Sequence, residues 1–362
     1  MNETAPSTPR GDHRDRDDSI DVLRVIGLLL IMLAHTIPSS WLLFQLRTFD
    51  VPLMVIVSGM AFCVSSPPAL RLGSYYWKRI LRLVLPTYVF LTLFFLITAL
   101  CFCLSDQASP FKGRLVGTFT LRNVNSIGYV WIIRVFLLVA LTAPFLHALW
   151  RRVHPALFGA ILVVAYIFYE IVFQRVPRLE PSWLNTFVTI YVYFAISYTV
   201  VFGVGMLLIR LGVYPRLALA VVLGIAFAVC VYVMSRGDTI QLRMQSFKYP
   251  PRIYYVSWGL FMSTVLSLVF MKVRLGGTVR SVVQFLSSVS LWIYLWHIVV
   301  LSVMSWHIDV VPFLRNPWLK FVTVVVVSSL LAYGHRALFK MIAGRLSRYP
   351  TAKKLVSQTF LK

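Results

Sequence analysis

The sequence predicts an all-α fold, a polytopic membrane helix bundle of about ten transmembrane helices with both termini cytoplasmic. Three observations predict it. The 362 residues are 59% hydrophobic and only 13% charged, with a mean hydropathy of +0.79. A soluble domain carries about 25% charged residues, so this chain has too little charge to cover a water-facing surface. Ten apolar runs are each close to the ~20 residues that span a hydrocarbon core. The remaining charge is lopsided, with 35 Lys and Arg against 12 Asp and Glu, and the basic residues lie in short clusters between the apolar runs. That placement fits membrane topology and anionic headgroups, and argues against nucleic acid as a partner.

Residues 1–19 alternate Arg and Asp around Pro6, Pro9 and Gly11 and have little to bury, which predicts a disordered cytoplasmic tail. They are not read as a signal peptide, because the first apolar run is of membrane length and lacks a small-residue cleavage site. A transmembrane domain is expected over 20–342, followed by a basic cytoplasmic tail over 343–362. The apolar runs fall at 24–42, 49–65, 80–104, 127–147, 156–174, 187–209, 217–235, 253–271, 281–303 and 318–339. The few residues around Arg47 make the first two helices antiparallel neighbours. Two longer connections, 105–126 and 236–252, leave room for a substrate at one end of the bundle. With the N-terminus inside, the inner segments hold 22 Lys and Arg and the outer loops 12, with Arg134 inside a span. The positive-inside rule therefore places both termini in the cytoplasm and the two long connections outside. Cys63, Cys101, Cys103 and Cys230 lie in or beside apolar runs, with no spacing that fits a metal site or a disulfide framework.

Titratable side chains inside a span are costly and draw attention to function. The first run offers Arg24 and His35. Eleven residues make three helical turns, so both project from one face about 16 Å apart, with Arg24 at the cytoplasmic edge. Histidine suits proton removal from a hydroxyl near neutral pH; the residues alone equally allow a histidine that is only hydrogen-bonded inside the bundle. Lys78, Arg79 and Arg82 cluster at the cytoplasmic lip of the third run, Arg79 and Arg82 on one face. Guanidinium groups there suit phosphate oxygens, or serve topology and headgroup contact alone. On the outer half, Arg134 and Glu170 each need a partner, and pairing with one another would offset part of their cost. Trp131 lies one turn before Arg134. His297 closes an aromatic stretch that is either part of a site or an interfacial belt. Lys248-Tyr249-Pro250-Pro251-Arg252 is a stiff basic–aromatic turn, suited to gripping a sugar or to ending a loop.

Five segments, in order, resemble the membrane-bound acyltransferase 3 family. Asp21-Val-Leu-Arg24, followed by ten residues and His35, resembles its signature. Pro52-Leu-Met-Val-Ile-Val-Ser58-Gly59 is similar to the apolar stretch of its second span, and Lys78-Arg79-Ile-Leu-Arg82-Leu-Val-Leu-Pro86 to the basic motif and proline that open its third. The turn at 248–251 and Ile293-Tyr294-Leu-Trp-His297 complete the set. The resemblance covers about residues 20–340. It implies O-acylation of extracytoplasmic carbohydrate in the cell envelope (polysaccharide, lipopolysaccharide sugars, peptidoglycan or glycosylated small molecules), at the cell's inner (plasma) membrane. Acetyl-CoA would be the donor substrate, with no permanently bound cofactor and no metal.

Carried over by position, His35 would be the essential histidine, Arg24 its partner in the signature, and Arg79 and Arg82, beside Lys78, the donor-binding residues. Trp131, Arg134, Glu170, Lys248, Tyr249 and His297 would lie on the acceptor side. The partners expected are thus an acyl-CoA, a carbohydrate and membrane lipids. The main alternative is a transporter or flippase for lipid-linked sugars, which would share the spans and buried charges. Against it stands the lack of repeat symmetry and of paired Gly/Pro-broken spans.

Overall fold

The computed structural model describes residues 17–67, 69–104, 111–175, 179–236, 243–307, 311 and 315–361. The expected disordered tail up to residue 16, and parts of the long connections at 105–110 and 237–242, lie outside these residues. Every described secondary-structure element is a helix, apart from one β-bridge between Lys248 and Pro251.

Each of the ten apolar runs is helical. In chain order they are α1 (Asp18–Ala34), α2 (Leu42–Ser65, tightened by a 3-10 turn at Arg47–Phe49), α3 (Leu72–Leu104), α4 (Trp131–Arg152), α5 (Pro155–Arg175), α6 (Ser182–Arg210), α7 (Val213–Ser235), α8 (Ile253–Val269), the pair α9 (Gly277–Ser288) and α10 (Ser290–Trp306), and α11 (Pro317–Arg345). A short amphipathic helix, α12 (Pro350–Phe360), follows where a tail is expected, its Phe360 ring stacked on Phe339. Seven helices among the described residues are long and apolar enough to cross a membrane, or eight if α9 and α10 count as one span. The other two of the ten runs, α1 and α8, form helices of 17 residues each.

The ninth run is not one straight helix. At Val289, with φ −109° and ψ 18°, the chain turns by 73°. Arg280, Gln284 and Ser287 form a polar stripe at helical spacing on α9, and the bend presents that stripe to the start of α1. There Asp18 accepts from Arg280 Nε (3.1 Å) and Gln284 (3.5 Å), and Asp21 accepts from Ser287 Oγ (2.5 Å). Asp17 caps α1 by accepting from the Ser19 N–H (2.9 Å), with Asp18 and Asp21 in the first turn where the helix dipole favours acids.

Prolines shape two helices near the cavity described below. Pro86 has no N–H to offer the Arg82 carbonyl, and α3 loosens into a π-turn over Ile80–Val84, the Leu85 N–H reaching back to the Ile80 carbonyl. Pro144 likewise leaves the Ala140 carbonyl of α4 without its helical donor; the Tyr75 hydroxyl takes it at 3.0 Å.

The bundle is built around α2 and α6, both largely buried, while α7 exposes nearly its whole length. Small residues let the central helices touch backbone to backbone, as membrane helix pairs require in the absence of a hydrophobic drive between them. A Cβ on Gly205 would overlap the Ile56 carbonyl of α2, and one on Gly59 the Phe202 carbonyl of α6. Gly205→Leu is therefore expected to destabilise the protein by about 3 kcal/mol or more, as overpacking of a tight core does. Gly73→Ala, where nothing lies within 4 Å, should be nearly neutral. Thermal melts of the two variants in detergent check the contrast.

Candidate active site

On α1, Arg24, Leu28 and Ile31 follow one face at spacings of four and three residues, and His35, the C-cap, continues it one turn on. The first three line a cavity of about 290 Å³. Arg79 and Arg82, one turn apart across the start of the π-turn, enter the same cavity from α3, together with Ser58, Tyr75 and Tyr294. Arg79 stands over the rings of Tyr75 (5.1 Å) and Phe62 (5.8 Å), and Arg24 donates to Ser287 Oγ at 3.0 Å with the Asp21 carboxylate 3.9 Å away. Three guanidinium groups thus share one cavity, and among the described residues only Arg24 has an acid within ion-pair distance. Such a cavity accepts anionic oxygens. Lys78 is exposed and does not line it.

Beyond Tyr294, at the far end of the cavity, two histidines meet. The His35 and His297 rings lie near parallel with centroids 5.6 Å apart. Tyr129 stands edge-on to both, at 4.6 Å from His35 and 5.8 Å from His297. The Tyr294 hydroxyl donates to the Tyr129 carbonyl, and its ring lies 4.8 Å from His297. His297 is fully buried, and its Nδ1 meets the Tyr294 carbonyl. A carbonyl only accepts, so that nitrogen carries the hydrogen and Nε2 keeps its lone pair.

A second charged group surrounds the turn at 248–252. Asp50 accepts from Arg47 Nη1 (2.6 Å) and Lys248 Nζ (3.4 Å), all three buried. Burial pushes the Lys248 ammonium down to about 8, with Asp50 opposing the shift and the Arg47 charge adding to it. One carboxylate thus faces two buried basic side chains. Lys248 also lies over the Trp131 ring (5.1 Å), and Trp131 packs edge-on against Tyr249 at 4.9 Å.

Arg134 and Glu170, expected to pair, do not. Glu170 accepts from Arg252 Nε (2.9 Å) and from the Ile253 N–H, because the first turn of α8 presents unpaired N–H groups that a carboxylate satisfies. Arg134 donates to the Leu121 carbonyl (3.0 Å) and lies over Phe194 (4.6 Å). It thereby holds the segment that leads to Tyr129 against α4.

A family model described as an acyltransferase domain, of the acyltransferase 3 family, matches residues 17–336. The chain belongs to the acyltransferase 3 family. No curated protein and no solved structure matches it. The match runs from the cap of α1 through most of α11, so the cavity, the histidine pair and the Asp50 cluster all belong to the acyltransferase domain, and α12 lies beyond it. Together with its long apolar helices, this makes the chain a multi-pass membrane acyltransferase.

Reading the sequence alone passes over Arg47, Asp50, Tyr129 and Ser287 of this acyltransferase. Asp50 carries the one usable signal, an acid opening an apolar run; Ser287 and Tyr129 are ordinary residues until the bend at Val289 and the 120–130 segment place them. Asp50→Asn would leave Arg47 and Lys248 buried without a counter-charge, and should destabilise the acyltransferase by about 3–5 kcal/mol. Replacing all three by apolar residues of similar size should recover much of that loss. Thermal melting of both variants measures it.

Proposed function

We propose that this acyltransferase is an O-acyltransferase that moves an acyl group, with acetyl as the default, from acetyl-CoA in the cytoplasm to a hydroxyl of a carbohydrate outside the cell's inner membrane. The observation that carries the reading is one face of α1: Arg24 lines the cavity with Arg79 and Arg82, and His35 lies beyond its far end. The phosphates of a CoA ester suit the three arginines, and an extended pantetheine arm would direct its thioester past Leu28 and Ile31 toward His35.

The acceptor would come from the opposite end, past Trp131, Tyr249 and the Asp50 cluster. His35 takes the hydroxyl proton as the oxygen attacks the thioester carbon; the carbon–sulfur bond breaks, and the proton passes from His35 to the leaving thiolate. Direct transfer needs no movement of an acylated intermediate. The reading includes ten spans with both termini cytoplasmic: the bent pair and the two 17-residue helices complete the ten, and the excess of Lys and Arg at one end favours that orientation.

Titration of the detergent-purified protein with acetyl-CoA separates this reading from a sugar flippase. Saturable binding, weakened by free CoA, is the expected result. Absence of binding to any CoA ester would remove the acyltransferase reading of the cavity.

A further inference from the structure

We infer that His297 is a positioning residue for His35, its Nε2 holding the N–H of the catalytic imidazole so that the other nitrogen of His35 faces the acceptor hydroxyl. The inference rests on the reading of His35 as general base. It starts from an unexplained atom: Nε2 of His297 is buried and has no hydrogen-bond partner among the described residues. A buried acceptor left open is costly, so it calls for a reason.

Three contacts supply one. The Tyr294 carbonyl fixes the hydrogen on Nδ1 and so leaves Nε2 as a lone-pair acceptor. The Tyr294 hydroxyl is committed to the Tyr129 carbonyl and does not compete for that lone pair. Of the rings around His297, His35 is the other imidazole, near parallel at 5.6 Å, with Tyr129 closing the side of both. The inference requires the His35 ring to turn about its Cβ–Cγ bond so that an N–H meets Nε2. An imidazole whose N–H is held by a second base presents its remaining lone pair in one direction and is stabilised once it gains a proton.

The proton account closes. The hydroxyl proton moves to the open nitrogen of His35, the resulting imidazolium shares its positive charge with the neutral His297 through the N–H contact, and the same proton leaves with the CoA thiolate. His297 ends the cycle in the form in which it began.

Two substitutions of similar size separate positioning from packing. His297→Gln keeps an oxygen that can accept the His35 N–H, and His297→Leu fills the space without an acceptor. Steady-state transfer from acetyl-CoA to an acceptor glycan, with acetyl-CoA affinity measured alongside, is expected to show kcat lowered less than about tenfold in Gln and about 10²–10³-fold in Leu. KM for both substrates should stay within about threefold in both variants. If the wild type transfers and Leu turns over as fast as Gln, the positioning role is overturned while His35 stands. If both variants lose acetyl-CoA affinity together with turnover, His297 is a packing residue and the inference is again overturned. If the wild type shows no transfer from any acyl-CoA, the proposed function fails and takes the pair with it.

Discussion

His35→Ala should lower acyl transfer by about 10²–10⁴-fold, the range over which a positioned general base contributes, while acetyl-CoA affinity stays within about threefold. The two halves of that result come from different parts of α1. The proposed donor contact lies with Arg24 at the start of the helix, and the proposed proton acceptor at its C-cap, three turns on. His35 itself lines no part of the arginine cavity, so removing its ring leaves the donor's phosphate contacts in place. A variant that loses binding along with turnover would show that His35 holds the local structure around Tyr129. Retention of acetyl label on the wild-type protein when acceptor is withheld would point to an acyl-histidine and away from direct transfer.

Arg79→Ala with Arg82→Ala should weaken acetyl-CoA binding by about 30- to 700-fold. Two charge-assisted phosphate contacts on partly exposed groups are worth about 2–4 kcal/mol in total, and each 1.4 kcal/mol is a factor of ten. Binding of S-acetyl-pantetheine, which has no phosphate, should be nearly unchanged, since the arginines are assigned to the phosphates alone. Lys78→Ala is the built-in control: it shares the basic segment but points away from the cavity, and should change affinity less than twofold. Equal effects of Lys78 and the arginine pair would mean that general positive charge at the lip, and not the cavity, attracts the donor.

Much of this arrangement is legible in the sequence because two periodicities carry it. Every apolar run falls on helix, and the spacing of eleven sets Arg24 and His35 along one side of α1. The Arg79–Arg82 interval is also legible as a shared face. Hydropathy cannot register the break at Val289, since a window average is blind to a change of direction between two apolar segments. The partners of buried charges are equally hidden: Arg134 and Glu170 are identifiable as costly, yet their partners are a loop carbonyl, Arg252 and the start of α8, which only the tertiary arrangement brings near. The meeting of His35 with His297, 262 positions later, needs the packing of α10 against α1 and has no local sequence signal.

In the proposed function one site joins a donor on one side of the membrane to an acceptor on the other through His35. Proteoliposomes test it most directly, with radiolabelled acetyl-CoA supplied only on the face that carries the N-terminus and acceptor glycan only on the opposite face. Labelled O-acetyl glycan should accumulate with wild-type protein and fall to background with His35→Ala. Undiminished labelling by His35→Ala, or labelling only when donor and acceptor share a compartment, would rule out transfer across the membrane through His35.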